Sequence, residues 1–401
     1  MPARSRAGKL ALLAASTVLT LAAAEVALRV AGVSYPNFYR PDPQLGWSLI
    51  PGAAGRWTKE GDAPVRISSA GLRDREHAPG KPPGVYRIAI LGDSCAEALQ
   101  VPVEETFWSL LERQLPACPA CPAFEGRQVE VINFGVSGYG TAQELLTLRH
   151  RAWRYAPDLV LLAFYSGNDV RNNYRALEQD PLRPYFVLES GDRGLRLDDS
   201  FRGSEGYRLR RSLPARALYA TFNRSRLLQL AKMGKSALDG AVGSWKARRV
   251  TTQPIEELGL DNAVYQPPPP SDTAWREAWE VTEAMIREMD AEARRHGARF
   301  AVVSLSTPIQ VDPDRAKRQA FARRLGVPDL FYPDRRLAEL GRAAGIPVLA
   351  LAPPLADRAA QTGRYLHGFP NTRRGEGHWN AAGHREAARL LTAWLCAGMC
   401  R

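Results

Sequence analysis

Ser94 stands in Ile90-Leu91-Gly92-Asp93-Ser94, where a run of strand-forming residues breaks into a short polar turn. A serine hydroxyl is a poor nucleophile until a nearby imidazole accepts its proton. His378, within Glu376-Gly377-His378-Trp379, is the candidate base. Such a base needs a carboxylate to orient the ring and stabilise its charged form. Attack on an ester carbonyl then develops an oxyanion, which requires donors already in place. The backbone amides of Ser94 and Gly138 and the side-chain amide of Asn168 are the candidate donors. Glycine at 138, in the run NFGVSGYG (133–140), lets backbone approach a substrate closely.

Elements that alternate along the chain must position these groups. Residues 86–91, 129–134, 159–165, 300–305 and 347–351 read as strands. Helices are expected at 104–115, 141–155, 275–296, 335–344 and 381–394. Continuous apolar strands alternating with helices predict a parallel sheet covered on both faces. Binding sites in such sheets form beyond the carboxyl ends of the strands. Ser94, the 133–140 loop and Ser166-Gly167-Asn168-Asp169 all follow strands, and His378 immediately precedes the last helix. The sheet should therefore gather them around one cleft.

Rival residues fit less well. Ser137 lies in Gly-Val-Ser-Gly, but Tyr139 occupies the second glycine position of a nucleophile elbow. Asp93 reads as a loop-fixing residue, and Asp169 as one that caps a turn or binds backbone amides. No His, Asp and Glu cluster has metal-ligand spacing, so neither a metal nor a cofactor is expected.

The chain has 401 residues, 45% hydrophobic, with a net charge of +12. Its basic residues are scattered and accompany no nucleic-acid motif, so nucleic acid is not an expected partner. Arg4, Arg6 and Lys9 precede an uncharged run at 10–24, the pattern of an export signal. Ala22-Ala23-Ala24 suits cleavage. Glu25 and Arg29, four apart on a helix, can instead pair and extend the apolar stretch to Val33, long enough for a membrane span. Residues 1–33 are read as a signal peptide or a single transmembrane anchor, with the retained anchor preferred. Either places the rest outside the cytoplasm, in the cell envelope: anchored in the inner membrane facing the periplasm, or secreted. Residues 34–84 read as an extended lead-in with aromatic anchors (Phe38, Tyr39, Trp47, Trp57), and 85–400 as the α/β domain. Within it, about 175–270 breaks the alternation and reads as an inserted cap or side lobe.

Together, Gly92-Asp93-Ser94, Gly138 five positions after Asn133, Asn168 and His378 resemble the blocks of the SGNH/GDSL hydrolase superfamily. The match covers about 86–394 apart from the insertion. This resemblance implies a flavodoxin-like three-layer α/β/α domain, with Ser94 as nucleophile, His378 as base, and Ser94, Gly138 and Asn168 as the oxyanion hole. Many members place an aspartate three residues before the histidine, where this chain has Gly375. Glu376 stands two before it. The resulting Glu-x-His-Trp is similar to the Asp-x-His-Trp of exported polysaccharide O-acetyltransferases of the alginate-modifying type. Glu376 is therefore the expected orienting carboxylate. Ala70-Gly71-Leu72-Arg73-Asp74 resembles a segment preceding the catalytic domain of membrane-anchored members.

The resemblance implies an exported serine esterase or O-acyltransferase working through an acylated Ser94. Its substrate would be an acylated, most simply acetylated, carbohydrate or another cell-envelope ester. Transfer would require a membrane partner that supplies the acyl group. The competing expectation is a non-catalytic, membrane-anchored carbohydrate-binding protein that retains the fold. Cys118, Cys121, Cys396 and Cys400 have spacings that a zinc site could use, but an oxidising compartment favours disulfides. Three pairings are open by sequence. A flavodoxin-like winding makes the first and last helices neighbours, so bridges are expected between the two pairs, leaving Cys95 as a packing thiol.

Overall fold

The strand Leu159–Tyr165 is apolar throughout and buried along its whole length, so both of its faces need cover. In the computed structural model, which describes residues 6–118, 123–178, 180–189, 194–235 and 262–399, two helical layers supply it. The strands in chain order are β1 Tyr39–Asp42, β2 Gly46–Leu49, β3 Ala54–Trp57, β4 Ala63–Arg66, β5 Val85–Gly92, β6 Gln128–Asn133, β7 Leu159–Tyr165, β8 Tyr185–Leu188, β9 Leu195–Asp198, β10 Arg299–Leu305 and β11 Val348–Ala350. Five of them form the central sheet in the order β6–β5–β7–β10–β11, every neighbouring pair parallel. Numbered among themselves this is the 2-1-3-4-5 flavodoxin-like order, with a topological switch between β5 and β7.

Side chains alternate across the sheet, as strand geometry requires. Val160, Leu162 and Phe164 of β7 join one core with Leu145 and Met285 from the helices Thr141–His150 and Thr273–Arg295. Leu159, Leu161 and Ala163 join the other core, with Trp108, Leu355 and Leu391 from the helices Phe107–Gln114, Ala352–Thr362 and Ala381–Met399. The layers are thus α/β/α, the expected fold class. The expected strands match to within a residue or so at each end. Two of the longer helices, Arg315–Leu325 and Ala352–Thr362, have no counterpart in the sequence reading. The first is highly polar and the second opens on prolines, which blurs the apolar period.

Residues 34–84, expected as an extended lead-in, form two antiparallel hairpins instead, β1–β2 and β3–β4. Phe38, Leu45, Leu49, Val65, Ile67 and Leu72 insert into the domain's own core. Their apolar residues are too sparse to reveal a periodic element, yet they bury fully. Among the described residues, the stretch expected as an insertion, about 175–270, contains the β8–β9 hairpin and helices from 205 to 235.

The helix Arg6–Val30 includes a span, Gly8–Val30, long and apolar enough to cross a membrane. Near its end Arg29 pairs with Glu25 at 2.9 Å. Glu25 also accepts from the backbone amides of Arg226 and Leu227, at 2.9 and 3.1 Å.

Cys118 and Cys396 are joined by a disulfide across 278 positions, tying the end of the first sheet-covering helix to the last. Cys121 and Cys400 lie outside the described residues, and Cys95 is buried and unbridged. Closing so long a loop restricts the unfolded chain. Cys118→Ser is expected to cost about 2–5 kcal/mol of stability, read from the guanidinium midpoint. An unchanged midpoint would show that the bridge does not stabilise the domain.

Candidate active site

β5 ends at Gly92, and Asp93 caps the short helix Ser94–Glu97 by accepting from the Cys95 amide at 2.9 Å. Ser94 therefore sits at the first turn, at the carboxyl edge of the sheet and at the switch point. Its hydroxyl lies 2.9 Å from His378 Nε2. The ring's other nitrogen, Nδ1, faces a carboxylate oxygen at 2.5 Å.

That carboxylate is Glu60, 318 residues away in sequence, and not Glu376. Glu60 lies in the turn between β3 and β4 and grips His378 twice, its second oxygen accepting the His378 backbone amide at 2.6 Å. Glu376 pairs instead with Arg373 at 3.1 Å, while still lining the cleft. The reason is local backbone geometry. Gly377 has a φ of +70°, and a Cβ there would stand 2.0 Å from Glu60 Oε1. The missing side chain leaves room for Glu60, which fills the position beside the ring that Glu376 would have needed. Asn371 clamps the Glu60 turn, bonding the Gly61 amide at 3.0 Å and the Thr58 and Gly61 carbonyls at 2.9 and 2.8 Å.

This pairing sets the electrostatics. Burial opposes a charged His378, but the hydrogen bond and charge of Glu60 outweigh it and raise the imidazole above its ordinary value. Burial likewise opposes ionised Glu60, and the His378 contacts prevail to hold its carboxyl below the usual range. With Nδ1–H given to Glu60, Nε2 is left as an acceptor for the Ser94 proton. Behind the ring, His367 is fully buried, which pushes its imidazole down to about 4, and it bonds the Gly377 carbonyl at 2.8 Å. It braces the turn that carries His378.

The expected oxyanion donors converge on the same cleft. Ser94, Gly138 and Asn168 line it with His378, in a volume of about 690 Å³. Gly138 takes a φ of +79°, and a Cβ there would lie 3.3 Å from the Trp47 ring. The Asn168 side-chain amide donates to Asp93 Oδ2 at 3.0 Å, which fixes its orientation at the end of β7. The Ser94 amide opens a helix, where backbone N–H groups lack intrahelical partners.

The loop of Gly138 is held by Glu97, buried at the end of the Ser94–Glu97 helix, and by side chains of the first hairpin. Glu97 accepts from the Ser137 amide at 2.7 Å and from its hydroxyl, so Ser137 is spoken for and does not meet His378. Tyr39 also donates to Glu97, and the Trp47 indole donates to the Ser137 carbonyl at 3.0 Å. The Ala70–Asp74 segment acts similarly. Asp74 accepts the Asn133 amide at 2.9 Å, and Arg73, wholly buried, donates to the Val101 carbonyl at 3.1 Å. Trp379 is a core anchor, its indole bonded to Ser306 at 2.9 Å.

Glu60 is the functional candidate that sequence reasoning missed. A glutamate–glycine pair between two short alternating segments, AGRW and APVR, marks a hairpin tip but carries no sign of the histidine it meets.

Fold and site define a class: a three-layer α/β/α domain bearing a serine–histidine–glutamate hydrogen-bond chain beside preset donors. No family model and no curated protein matches the sequence. Solved structures similar to it include the acetyl xylan esterase AlAXEase, at 11% identity and a TM-score of 0.38 over 77% of this chain and 98% of that one. A catalytic mutant of Axe2, an acetylxylan esterase from Geobacillus stearothermophilus, gives 11% and 0.37 over 78% and 94%. TesA gives 13% and 0.35 over 77% and 98%. At these values they are similarities only, and the chemistry is read from this chain's own residues.

Proposed function

We propose that this protein is a serine-dependent esterase or O-acyltransferase, held in a membrane by its N-terminal helix. The observation that carries the reading is the unbroken chain from Ser94 Oγ through both nitrogens of His378 to Glu60. Ser94 Oγ attacks the ester carbonyl while His378 Nε2 takes its proton, and Glu60 stabilises the imidazolium. The oxyanion is met by the amides of Ser94 and Gly138 and by Asn168 Nδ2. Collapse expels the alcohol, which receives the proton from His378 and leaves an acyl group on Ser94. Water then regenerates Ser94 in hydrolysis, or a sugar hydroxyl accepts the acyl group in transfer. His378 takes the acceptor's proton in either case.

The cleft is open and lined by Tyr39, Trp47 and Trp57 with polar Gln100 and Arg171. Aromatic faces beside hydrogen-bonding groups suit an acylated carbohydrate. Acetyl is the acyl group of choice, and transfer would draw on a membrane partner as donor. The span Gly8–Val30 and the Cys118–Cys396 bridge support an exported, anchored protein.

Full-length protein in detergent, treated with a fluorophosphonate probe and p-nitrophenyl acetate, tests the reading. Labelling at Ser94 with ester hydrolysis is expected, and adding candidate glycans separates transfer from hydrolysis. No labelling and no hydrolysis would leave a binding protein. Removing a side-chain oxyanion donor should weaken turnover without loss of fold. Asn168→Ala is expected to lower kcat by about 10²–10³-fold with little change in KM. A kcat equal to that of the wild type would remove Asn168 from the oxyanion hole.

A further inference from the structure

Beyond the N-terminal helix, the exposed large apolar side chains of the described residues fall between 209 and 230, Tyr365 excepted. Leu209 is 70% exposed, Leu213 77% and Leu218 67%. They lie on the helices Glu205–Arg211 and Leu213–Arg224, which are followed by a further helix at 226–235. Isolated exposed leucines are ordinary, but a run confined to one stretch marks a surface that something covers.

Charge and attachment say what covers it. Residues 205–235 hold eight Lys and Arg and one acid, Glu205. The same stretch is fastened to the outgoing end of the candidate membrane span. Glu25 accepts the amides that open the 226–235 helix, Ser225 donates to Glu25 at 3.1 Å, and Arg29 donates to the Arg224 carbonyl at 2.5 Å. Glu25 lies within the last two turns of the apolar span, which ends at Val30, so this junction falls at the membrane–water boundary. Exposed leucines with interleaved arginines at that level are the composition of a segment lying in the interface.

We propose that residues 205–235 form a platform seated on the bilayer, its leucines entering the boundary between headgroups and acyl chains and its arginines meeting anionic lipid phosphates. The platform would hold the cleft at a set height above the leaflet opposite the N-terminus. The proposal rests on reading residues 8–30 as a membrane span and is independent of whether Ser94 turns over.

Full-length Leu213→Cys and Leu218→Cys, spin-labelled and reconstituted in phosphatidylcholine vesicles with or without phosphatidylglycerol, test it. Leu19→Cys reports the span, Arg342→Cys the aqueous face, and the unsubstituted chain the labelling background. The ratio of oxygen to nickel-chelate collisions at 213 and 218 is expected to exceed that at 342 severalfold. Phosphatidylglycerol should raise it further, and changing Arg208, Arg210, Arg211 and Arg216 to Ala should abolish that increment. A water-like ratio at 213 and 218 with a bilayer-like ratio at 19 would overturn the platform while sparing the anchor. Shielding from both collision partners would mean that a protein covers the patch, and would overturn it too. A water-like ratio at 19 would overturn the span and the platform together. Ester hydrolysis by the same vesicles reports separately on the proposed activity.

Discussion

Ser94→Ala is expected to reduce turnover of p-nitrophenyl acetate by about 10⁴-fold or more and to abolish fluorophosphonate labelling, with the thermal midpoint essentially kept. The size follows from what the hydroxyl does. Its oxygen is the atom 2.9 Å from His378 Nε2, and among the described residues no other nucleophile meets that nitrogen. Ser137, the nearest rival in the cleft, is bonded to Glu97 through both its amide and its hydroxyl. What remains after the substitution is binding and the preset donors, which act on water alone. A variant with wild-type turnover and labelling would move the nucleophile elsewhere and end the proposed mechanism.

The second large effect separates two glutamates. Glu60→Gln is expected to lower kcat by about 10³–10⁴-fold, the size seen when the orienting carboxylate of a serine–histidine relay becomes an amide. Glu376→Gln should leave kcat within a small factor of the wild type, because its carboxylate pairs with Arg373 rather than the ring. The pH profile gives an independent readout. General-base action needs neutral His378, so kcat/KM rises with pH as the imidazolium loses its proton. Glu60 raises that imidazole against the effect of burial, so the acid limb of the wild type should lie above the ordinary histidine value of 6.5. Without the Glu60 charge the charged ring loses its principal support, and the limb should move to lower pH. Equal effects of the two substitutions, or an unmoved limb in Glu60→Gln, would remove Glu60 from the relay.

The contrast between these glutamates shows where sequence reading stops. Glu376 recommends itself by standing two residues from His378. Proximity along the chain is a poor guide in a turn with left-handed glycines at 375 and 377, where successive side chains point in different directions. Glu60 reaches the ring only because the two hairpins bury Phe38, Leu45, Leu49 and Val65 in the domain core and so press the β3–β4 turn against residues 371–378. Short strands with few apolar residues left no periodic trace of that packing.

The sequence by itself determined the alternation of elements, the parallel sheet, and the placing of Ser94, Gly138 and Asn168 at strand ends, since each depends on side-chain periodicity and turn chemistry within a few residues. It also marked His378 at the start of the last helix and the apolar span at the N-terminus. Only the tertiary structure decided which carboxylate completes the relay, that Glu97, Tyr39 and Trp47 hold the Gly138 loop, and that the leucines of 209–230 stay exposed beside the N-terminal helix. Those outcomes depend on which surfaces bury one another across hundreds of residues, a competition among whole elements that no local spacing records.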